Sequence, residues 1–426
     1  MSGYQEHEQE NIIYHIDVNS AFLSWEAAHR VMHLGDTVDL REIPSVIGGS
    51  EKNRHGIVLA KSTPAKKFHI QTGEPLIRAR EKCPNLVVAP PNYELYVTSS
   101  KAFINLLSRY APVVEQYSID EAFCNMTGTS KLLGSPVLFA SQLKDIIYQE
   151  LGFTVNIGVS TNKLLAKMAS DFEKPNKVHT LFPHEIDTKL WPLPIEDLFF
   201  VGRATARRLH GLGIHSIYDL AHTSPDILEA HFKKHGHTIY NYANGIDDGT
   251  VSATVEANKG YGNSLTISFD VTDATTAKRV LLSLCETVGA RIRADHAYIR
   301  TVSVSIVDYE FHHASRQCTL DSTTDITEQI YRAACQLFDQ LWNKKPIRQL
   351  GVQTAHATSE SYEQLDLFSS HQQSEKLSKL NSAIDAIRGK YGEDSIMRAC
   401  FLDAKEQHMT GGINKAKRNG ITKPTE

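Results

Sequence analysis

The sequence lacks the features that place a protein in or across a membrane. It has no run of about 18 consecutive apolar residues, the minimum that spans a bilayer. The first ten residues, MSGYQEHEQE, are polar and acidic and do not have the apolar core of a secretory signal peptide. We therefore expect no membrane partner and a cytoplasmic location.

Cysteine is scarce and scattered. The six cysteines form no C-x-x-C pair, and no cysteine and histidine residues have the spacing typical of a zinc site. This pattern favours a reducing compartment, and it excludes both a disulfide framework and a structural zinc ion.

A strong excess of one charge is also missing. Lys and Arg total 45 against 49 Asp and Glu, for a formal net charge of −4 at pH 7. Because proteins that bind nucleic acid are often strongly basic, any such contact must come from local clusters of Lys and Arg. With 41% hydrophobic and 22% charged residues, the composition is that of an ordinary folded protein. At roughly 150 residues per domain, the length predicts three or four domains.

The apolar pattern begins with a strand and a helix. Residues 12–17 (IIYHID) are typical of a buried strand, and Asn19 suits the N-cap of a following helix that carries Phe22 and Trp25. Residues 36–91 are rich in Gly, Pro, Lys and Arg and show little sustained periodicity. They predict a small subdomain of short elements.

The middle of the sequence predicts more strands and several short helices. Residues 113–126 fit two strands, and residues 153–159 fit a third strand that leads into a helix at 162–171. Residues 199–221 fit two short helical segments that flank the Gly-Leu-Gly triplet at 211–213.

The next segment has the order β-α-β-β-α-β, after a polar linker at 247–262, and this order predicts one split-βαβ domain. The predicted elements are a strand at 264–269, a helix at 275–293, strands at 301–308 and 317–321, a helix at 325–342 and a strand at 349–355. The second helix places five apolar residues on one face, as burial against a sheet requires: Ile326, Ile330, Ala334, Leu337 and Leu341.

Three carboxylates stand at the ends of predicted strands. Asp17 ends the first strand, and the adjacent Asp120 and Glu121 begin another strand about a hundred residues later. Hard divalent cations prefer oxygen ligands, and two ions ~3.5–4 Å apart can assist an in-line phosphoryl displacement. A lone Asp-Glu pair, however, is more often solvated surface.

Five ordered stretches identify a family. The sequence resembles the Y-family DNA polymerases, in the ImpB/MucB/SamB branch whose prototype is the bacterial mutagenesis (SOS) polymerase subunit. The matching stretches are IDVNSAF (16–22), AKSTPAKKFHIQTGEPL (60–76), YSIDEAF (117–123), NIGVSTNKLLAKMASDFEKPN (156–176) and FVGRATARRLHGLGI (200–214). The resemblance implies a multidomain α/β (α+β) right-hand polymerase. Its expected parts are palm (11–35 and 92–180), small fingers (36–91), helical thumb (181–246), linker (247–262), little finger (263–357) and tail (358–426).

The resemblance also implies the roles of individual residues. Asp17, Asp120 and Glu121 match the catalytic acids that bind two Mg²⁺ ions, and the backbone carbonyl of Val18 matches a further metal ligand. Phe22 matches the steric gate, an aromatic ring that leaves no room for a ribose 2′-hydroxyl and so selects dNTPs.

The triphosphate-binding residues depart from the family pattern. Thr63 and Lys66 stand where the family has Tyr and Arg, whereas Lys174 is retained. Lys66 can donate to a phosphate oxygen but lacks the bidentate fork of Arg. Either Lys66 or Lys67 could make the phosphate contact.

Contacts to primer-template DNA and to partners follow from the same resemblance. Gly202, Arg203, Gly211 and Gly213 fit a helix-hairpin-helix, in which backbone N–H groups approach a DNA phosphate. The QLDLF segment resembles a sliding-clamp peptide, with its contacts expected from Gln364, Leu365, Leu367 and Phe368. Beyond it, apolar residues at helical spacing could dock on the polymerase or on a partner: Leu377, Leu380, Ile384 and Ile387.

The predicted function is therefore template-directed DNA synthesis on damaged templates, that is, translesion synthesis in DNA repair, with accessory SOS or repair proteins as further partners. One alternative is a non-catalytic subunit that binds DNA and the clamp, suggested by the changes at Thr63 and Lys66. A second alternative is a palm-like nucleotidyl cyclase, which would have no use for a helix-hairpin-helix or a clamp peptide.

Overall fold

The computed structural model describes residues 11–49, 56–254, 256–360 and 371–402, together with 404, 408 and 409. The predicted clamp-binding residues lie outside these ranges. None of the helices within them is long and apolar enough to cross a membrane. The chain divides into two compact units, residues 1–48 with 58–255 and residues 49–57 with 256–426, and each is described by itself.

A five-stranded sheet forms the centre of the first unit, with the strand order β5-β6-β1-β7-β8. Only β7 and β8 run parallel to each other. The strands are β1 (Ile13–Val18), β5 (Val113–Gln116), β6 (Glu121–Asn125), β7 (Val155–Ser160) and β8 (Val178–Thr180). The strands predicted at 12–17, within 113–126 and at 153–159 are thus confirmed.

Every residue of β1 is buried, as expected for the central strand of a sheet covered on both faces. Tyr14, Ile16 and Val18 belong to the main core of this unit. Since successive side chains point to opposite faces, His15 and Asp17 share the other face. Four helices accompany this sheet: α1 (Ala21–His29), α4 (Tyr93–Leu107), α6 (Pro136–Leu151) and α7 (Lys163–Asp171), with the short α5 (Ser130–Leu133) before α6.

Helix α7 lies unusually close to β7 because of Gly158. A Cβ atom at this position would stand 1.9 Å from the carbonyl oxygen of Ala166 and 2.5 Å from the amide nitrogen of Ser170. Any side chain here would push the helix away from the sheet. Gly158 therefore fixes the height of α7 above the strand that neighbours β1.

A smaller three-stranded sheet, in the order β3-β2-β4, follows α1. It has a core of its own around Val46, Ile70 and Leu76. Its elements are β2 (Ser45–Gly48), β3 (Val58–Lys61), α2 (Thr63–Lys66), α3 (Leu76–Lys82) and β4 (Val87–Ala89). The subdomain of short elements predicted for this segment is confirmed.

Four short helices complete the first unit: α8 (Arg203–His210), α9 (Ile217–Ala221), α10 (Pro225–Phe232) and α11 (Lys234–Ala243). The first two flank the Gly-Leu-Gly triplet, as predicted. Gly213 adopts φ +80°, a conformation that favours glycine. The helices share a core with Leu164, Leu165 and Met168 of α7, so α7 packs on the sheet and on this helical segment at once.

The second unit contains the predicted β-α-β-β-α-β order. Its sheet has the strand order β11-β10-β12-β9, and all neighbours are antiparallel. The elements are β9 (Gly262–Val271), α12 (Ala274–Ala294), β10 (Ile299–Asp308), β11 (His313–Thr324), α13 (Thr327–Leu341) and β12 (Ile347–Ala355). Four of the five apolar residues predicted on one face of the second helix are buried, and Leu341 packs against the same core.

A last helix, α14 (His371–Tyr391), docks on the helices of this domain through polar contacts. Arg388 donates to Glu286 at 2.7 Å, and the Arg388 and Glu286 side chains are only 8% and 3% exposed. Asn381 accepts from the Thr327 backbone amide at 3.1 Å. Although the apolar spacing predicted this helix, Leu380 and Ile387 are exposed, and the polar Asn381 and Arg388 are buried in their place.

Candidate active site

Asp17 and Glu121 lie directly opposite each other, because β1 and β6 pair in antiparallel register. Asp120 precedes Glu121, and its carbonyl oxygen accepts a hydrogen bond from the Val18 amide at 3.0 Å. The three acids expected at one site are therefore brought together by the pairing of two strands.

Each of these acids already has a partner within the chain. Lys174 contacts the Asp17 carboxylate, and Lys167 Nζ lies 2.9 Å from Glu121 Oε2. Ser118 Oγ donates to Asp120 Oδ1 at 2.7 Å. Two lysines thus partly balance three negative charges that would otherwise repel one another.

The surroundings shift the pKa values of two of the acids in opposite directions. Burial raises the pKa of Asp17 to about 6 against the opposing charge of Lys174, and the nearby Glu121 and Asp120 add to the rise. Burial also tends to raise the pKa of Glu121, but His15 and Lys167 outweigh it and hold that pKa at about 2.

His15 lies beneath Glu121 and is fully buried. Its Nδ1 is 2.7 Å from Ser170 Oγ, and its Nε2 is 3.6 Å from Glu121 Oε2. Burial is the largest influence on this imidazole and lowers its pKa. The ring is therefore neutral at neutral pH and supports Glu121 without adding a full charge.

The acids fit hard divalent cations, because every side-chain donor they offer is a carboxylate oxygen. Their oxygens are not all within 4.8 Å of one another. Among the described residues that spacing occurs at Asp308, Glu310 and His312. In that second cluster the Lys345 side chain pairs with Glu310, with Nζ 2.8 Å from Oε2.

A cavity of about 620 Å³ opens beside the acids. Its lining includes Asp17, Val18 and Asp120, and also Phe22, Lys66 and Lys174. The Phe22 ring stacks on Tyr96 with 4.5 Å between ring centres and an angle of 11°. Since Tyr96 is fully buried, it provides a fixed floor beneath the half-buried Phe22 ring.

The first turn of α1 differs from the prediction. Asn19 does not cap this helix. Ser20 occupies the N-cap position instead, in a left-handed conformation. The Asn19 side chain accepts from the Asn176 amide at 2.9 Å and donates to Asn156 Oδ1 at 3.2 Å. A buried amide is satisfied better by this long-range network than by a local cap.

The same network fixes the loop that carries Lys174. The Asn156 side chain donates to the Ser170 and Glu173 carbonyls at 3.1 and 2.7 Å, and it accepts from the Lys177 amide at 3.2 Å. The loop is therefore bound on both sides of Lys174.

The structure distinguishes between the two lysines of the small sheet segment. Lys66 and Thr63 line the cavity, whereas Lys67 is not part of its lining. Helix α2 starts with the Ser62 side chain accepting from the Ala65 amide at 3.1 Å.

The predicted helix-hairpin-helix residues sit around α8. Gly202 is the N-cap, Arg203 is exposed in the first turn, and Gly211 is the C-cap. A Cβ atom at Gly202 would meet nothing within 4 Å, so this glycine leaves the helix N-terminus open. Arg208, by contrast, donates to the His231 carbonyl at 2.6 Å and is held within the segment.

Sequence reasoning missed Lys167 and His15. A signal for Lys167 was present, because it interrupts the otherwise apolar run of residues 164–169, and a buried lysine requires a buried partner. His15 gave no such signal, since a histidine within a buried strand most often belongs to the core.

Comparisons with known proteins identify the family of this chain. Three family descriptions match the chain: "impB/mucB/samB family" over residues 16–171, "DNA polymerase-iota, thumb domain" over 196–247 and "impB/mucB/samB family C-terminal domain" over 258–367. A protein of Clostridium acetobutylicum named DNA polymerase IV is 45% identical over 396 residues, which are 93% of this chain and 99% of that protein.

Further relatives extend the similarity across most of the chain. Proteins named DNA polymerase IV in Acetivibrio thermocellus and DNA polymerase IV 2 in Bacillus subtilis are 35% and 34% identical, over 92% and 94% of this chain and 97% and 96% of their own lengths. The solved structure of the Y-family DNA polymerase chimera Dbh-Dpo4(243-245)-Dbh matches with a TM-score of 0.70 and 22% identity, over 82% of this chain and all of that one. The resemblance inferred from the sequence motifs is confirmed. The chain belongs to the impB/mucB/samB family of Y-family DNA polymerases and is a DNA-directed DNA polymerase with a multidomain, mixed helix and sheet fold.

Proposed function

We propose that this polymerase extends primer 3′ ends on damaged as well as intact templates, by phosphoryl transfer assisted by two Mg²⁺ ions. One observation carries the proposal: Asp17, Asp120 and Glu121 converge beside a cavity whose walls include Phe22 and Lys174. Carboxylates for metal ions, a cation for phosphates and an aromatic ring for the sugar are the groups that dNTP addition requires.

The acids would hold the metal ions, with the Val18 carbonyl as an additional ligand. When bound, the two ions would stabilise the deprotonated primer hydroxyl and the charge on the triphosphate. Lys174 would exchange its contact with Asp17 for one with a phosphate oxygen, because a metal ion and a lysine compete for the same carboxylate. Lys66 would donate to another phosphate oxygen as a single point charge.

Phe22 would select the sugar of the incoming nucleotide. Its ring cannot move away from the cavity easily, since Tyr96 lies directly beneath it. A ring held in this way would exclude a ribose 2′-hydroxyl by contact alone.

Bypass of damaged bases follows from the small size of the segment above the cavity. We assign residues 36–91 to the fingers, and the part of this range that the structure describes contains only short strands and two short helices. A small cover restrains the nascent base pair loosely, and it would admit distorted templates at the expense of accuracy.

Contacts outside the active site complete the proposal. The amide groups at the N-terminus of α8, beside Gly202 and Arg203, and the turn with Gly211 and Gly213 that follows this helix would bind DNA phosphates without reading the sequence. Gln364, Leu365, Leu367 and Phe368 would bind a sliding clamp, and accessory SOS or repair proteins would act on the same complex.

Primer extension by the purified full chain tests the proposal. With Mg²⁺, dNTPs and a primed template, we expect addition opposite both an intact base and an abasic site. Asp120→Asn should reduce kcat by roughly 10²–10³-fold, the loss typical when one group that stabilises transition-state charge is removed. Extension that needs no divalent ion, or that survives Asp120→Asn, would contradict the two-metal mechanism. Wild-type activity that appears only with added partners would favour the non-catalytic alternative.

A further inference from the structure

We propose that Lys167 is a positioning residue of the active site: it holds Glu121 in place for a metal ion and links this carboxylate to the base of the thumb segment. The inference rests on the proposed two-metal function and concerns a residue of the chain outside the acids and the nucleotide contacts assigned above.

Lys167 has the burial of a core residue. It is 8% exposed, and its Nζ lies 2.9 Å from Glu121 Oε2. A buried ammonium group is costly unless it is paired, so this contact is a requirement of the fold and not a chance surface bridge. His15 approaches the same oxygen, which leaves Glu121 Oε1 as the oxygen that would face a metal ion.

Two aromatic rings hold the Lys167 ammonium in place. Nζ lies 5.4 Å from the centre of the Tyr117 ring and 5.3 Å from the centre of the Phe199 ring. Cations at this distance from ring faces are attracted by the ring quadrupole. The ammonium therefore has little freedom to leave Glu121.

These rings belong to two different parts of the first unit. Tyr117 lies between β5 and β6, just before the acids. Phe199 lies just before α8, in the segment that matches the thumb domain. The Phe199 amide donates to Met168 Sδ at 3.4 Å, and its ring stacks on Tyr242 of α11 at 6.2 Å. A change in the position of the thumb would thus reach Glu121 through Phe199 and Lys167.

The charge of Lys167 has a second effect. It offsets the negative charge of Glu121, which faces Asp17 across the paired strands. If Lys167 lost its charge, the acids would attract a cation more strongly, but Glu121 would lose the contact that orients it. Positioning therefore predicts a loss of turnover without a loss of metal binding.

Lys163 offers a matched control one helical turn earlier. Its Nζ lies 2.6 Å from Glu115 Oε1 and 4.9 Å from the centre of the Phe123 ring. It has the same chemistry, a paired ammonium beside an aromatic ring on the same helix, but its partner is not one of the three acids.

The experiment compares the full-length wild-type chain with K167M, K167Q, K167R and K163M. Carboxylate sites accept Mn²⁺ in place of Mg²⁺. Mn²⁺ binding is measured without nucleotide or DNA, by electron paramagnetic resonance of the ion that stays free in solution. Primer extension then gives kcat and the KM for dNTP. Thermal unfolding shows which variants fold, and K167Q provides a second uncharged variant that keeps a hydrogen-bond donor.

For K167M and K167Q we expect a kcat at least roughly tenfold lower, the usual cost of removing a group that supports a metal ligand. Mn²⁺ affinity should be equal to or up to roughly threefold higher than that of the wild type, as expected for one charge removed nearby. K167R should recover most of kcat, and K163M should match the wild type in both measurements.

A kcat of K167M and K167Q close to that of the wild type would overturn the role of Lys167. A wild-type chain that bound no Mn²⁺ or extended no primer would instead show that the proposed function is wrong. The two failures are therefore distinguishable.

Discussion

Lys174 Nζ forms an ion pair with Asp17 Oδ2, and the same ammonium lies 2.8 Å from Asp171 Oδ1. One lysine thus connects a proposed metal ligand with the loop that is expected to meet the triphosphate. Because Asp17 is buried in part and lies opposite Glu121, its ionised form depends on this lysine or on a bound cation.

The first prediction concerns Asp17 and pH. Its pKa of about 6 in the folded chain exceeds the ordinary value of 3.8, so the folded state binds a proton more tightly than the unfolded state. The ionised group therefore lowers stability above pH 6, and this penalty disappears as the pH falls below 3.8. We expect Asp17→Asn to raise Tm in EDTA at pH 8 and to have little effect at pH 4.

Asp39→Asn is the matched control for this experiment. Burial alone would raise the pKa of Asp39, but its hydrogen bonds with Arg41 lower it, so its contribution has the opposite sign. This stabilisation is present above pH 3.8 and is lost only as the pH falls further, so Asp39→Asn should lower Tm at pH 8 and almost as much at pH 4. If both variants lowered Tm at pH 8, the assignment for Asp17 would be wrong.

The second prediction tests the sugar contact of Phe22. Phe22→Ala removes the ring that stacks on Tyr96 and should raise the ratio of ribonucleotide to deoxyribonucleotide incorporation by about tenfold or more, equivalent to ~1.4 kcal/mol. Single-nucleotide primer extension with each sugar measures this ratio. Phe22→Leu keeps part of the side-chain bulk, so its ratio should lie between those of the wild type and Phe22→Ala. An unchanged ratio in Phe22→Ala would remove Phe22 from this role.

The third prediction uses the two neighbouring lysines. Lys66→Arg restores a bidentate donor in the wall of the cavity and should lower the KM for dNTP by roughly two- to tenfold, up to ~1.4 kcal/mol. Lys67→Arg makes the same chemical change outside the cavity lining and should leave KM unchanged. Steady-state kinetics measure the KM for dNTP in both variants. Equal changes in KM from the two substitutions would mean that Lys66 has no special contact with the phosphates.

The fourth prediction concerns the docking of α14. Arg388→Met leaves the buried Glu286 with one arginine fewer, and loss of one partner from a buried pair typically costs ~3–5 kcal/mol. We expect the amides of α14 to lose protection from hydrogen exchange while those of the second-unit sheet keep theirs. A helix that remained protected in Arg388→Met would show that the polar contacts do not hold it.

Lys379→Met provides the control on the same helix. Lys379 forms an exposed i,i+4 pair with Glu375, a type worth only ~0.3–0.5 kcal/mol. Its removal should leave the protection of α14 unchanged. High salt should likewise weaken this exposed pair more than the buried contact between Arg388 and Glu286.

Much of the secondary structure and the family of this protein could be predicted from the sequence alone. The buried strand at β1, the short helices around Gly211 and Gly213, and the order of the second-unit elements all follow from local spacing, because strands and helices impose different periods on their apolar residues. The motifs around Asp17 and Asp120 also identified the family without a structure.

Only the tertiary structure decided which partners the buried polar groups have. Asn19 was predicted as a cap from its place before a helix, yet it bonds to Asn156 and Asn176, far along the chain. Arg388 is buried on α14, whereas Leu380 and Ile387, which the apolar spacing predicted at the contact, are exposed. Lys167 reaches Glu121 only because Gly158 lets α7 lie close to the sheet. A local pattern reports whether a side chain prefers burial, but the identity of a buried charge's partner depends on how distant segments pack.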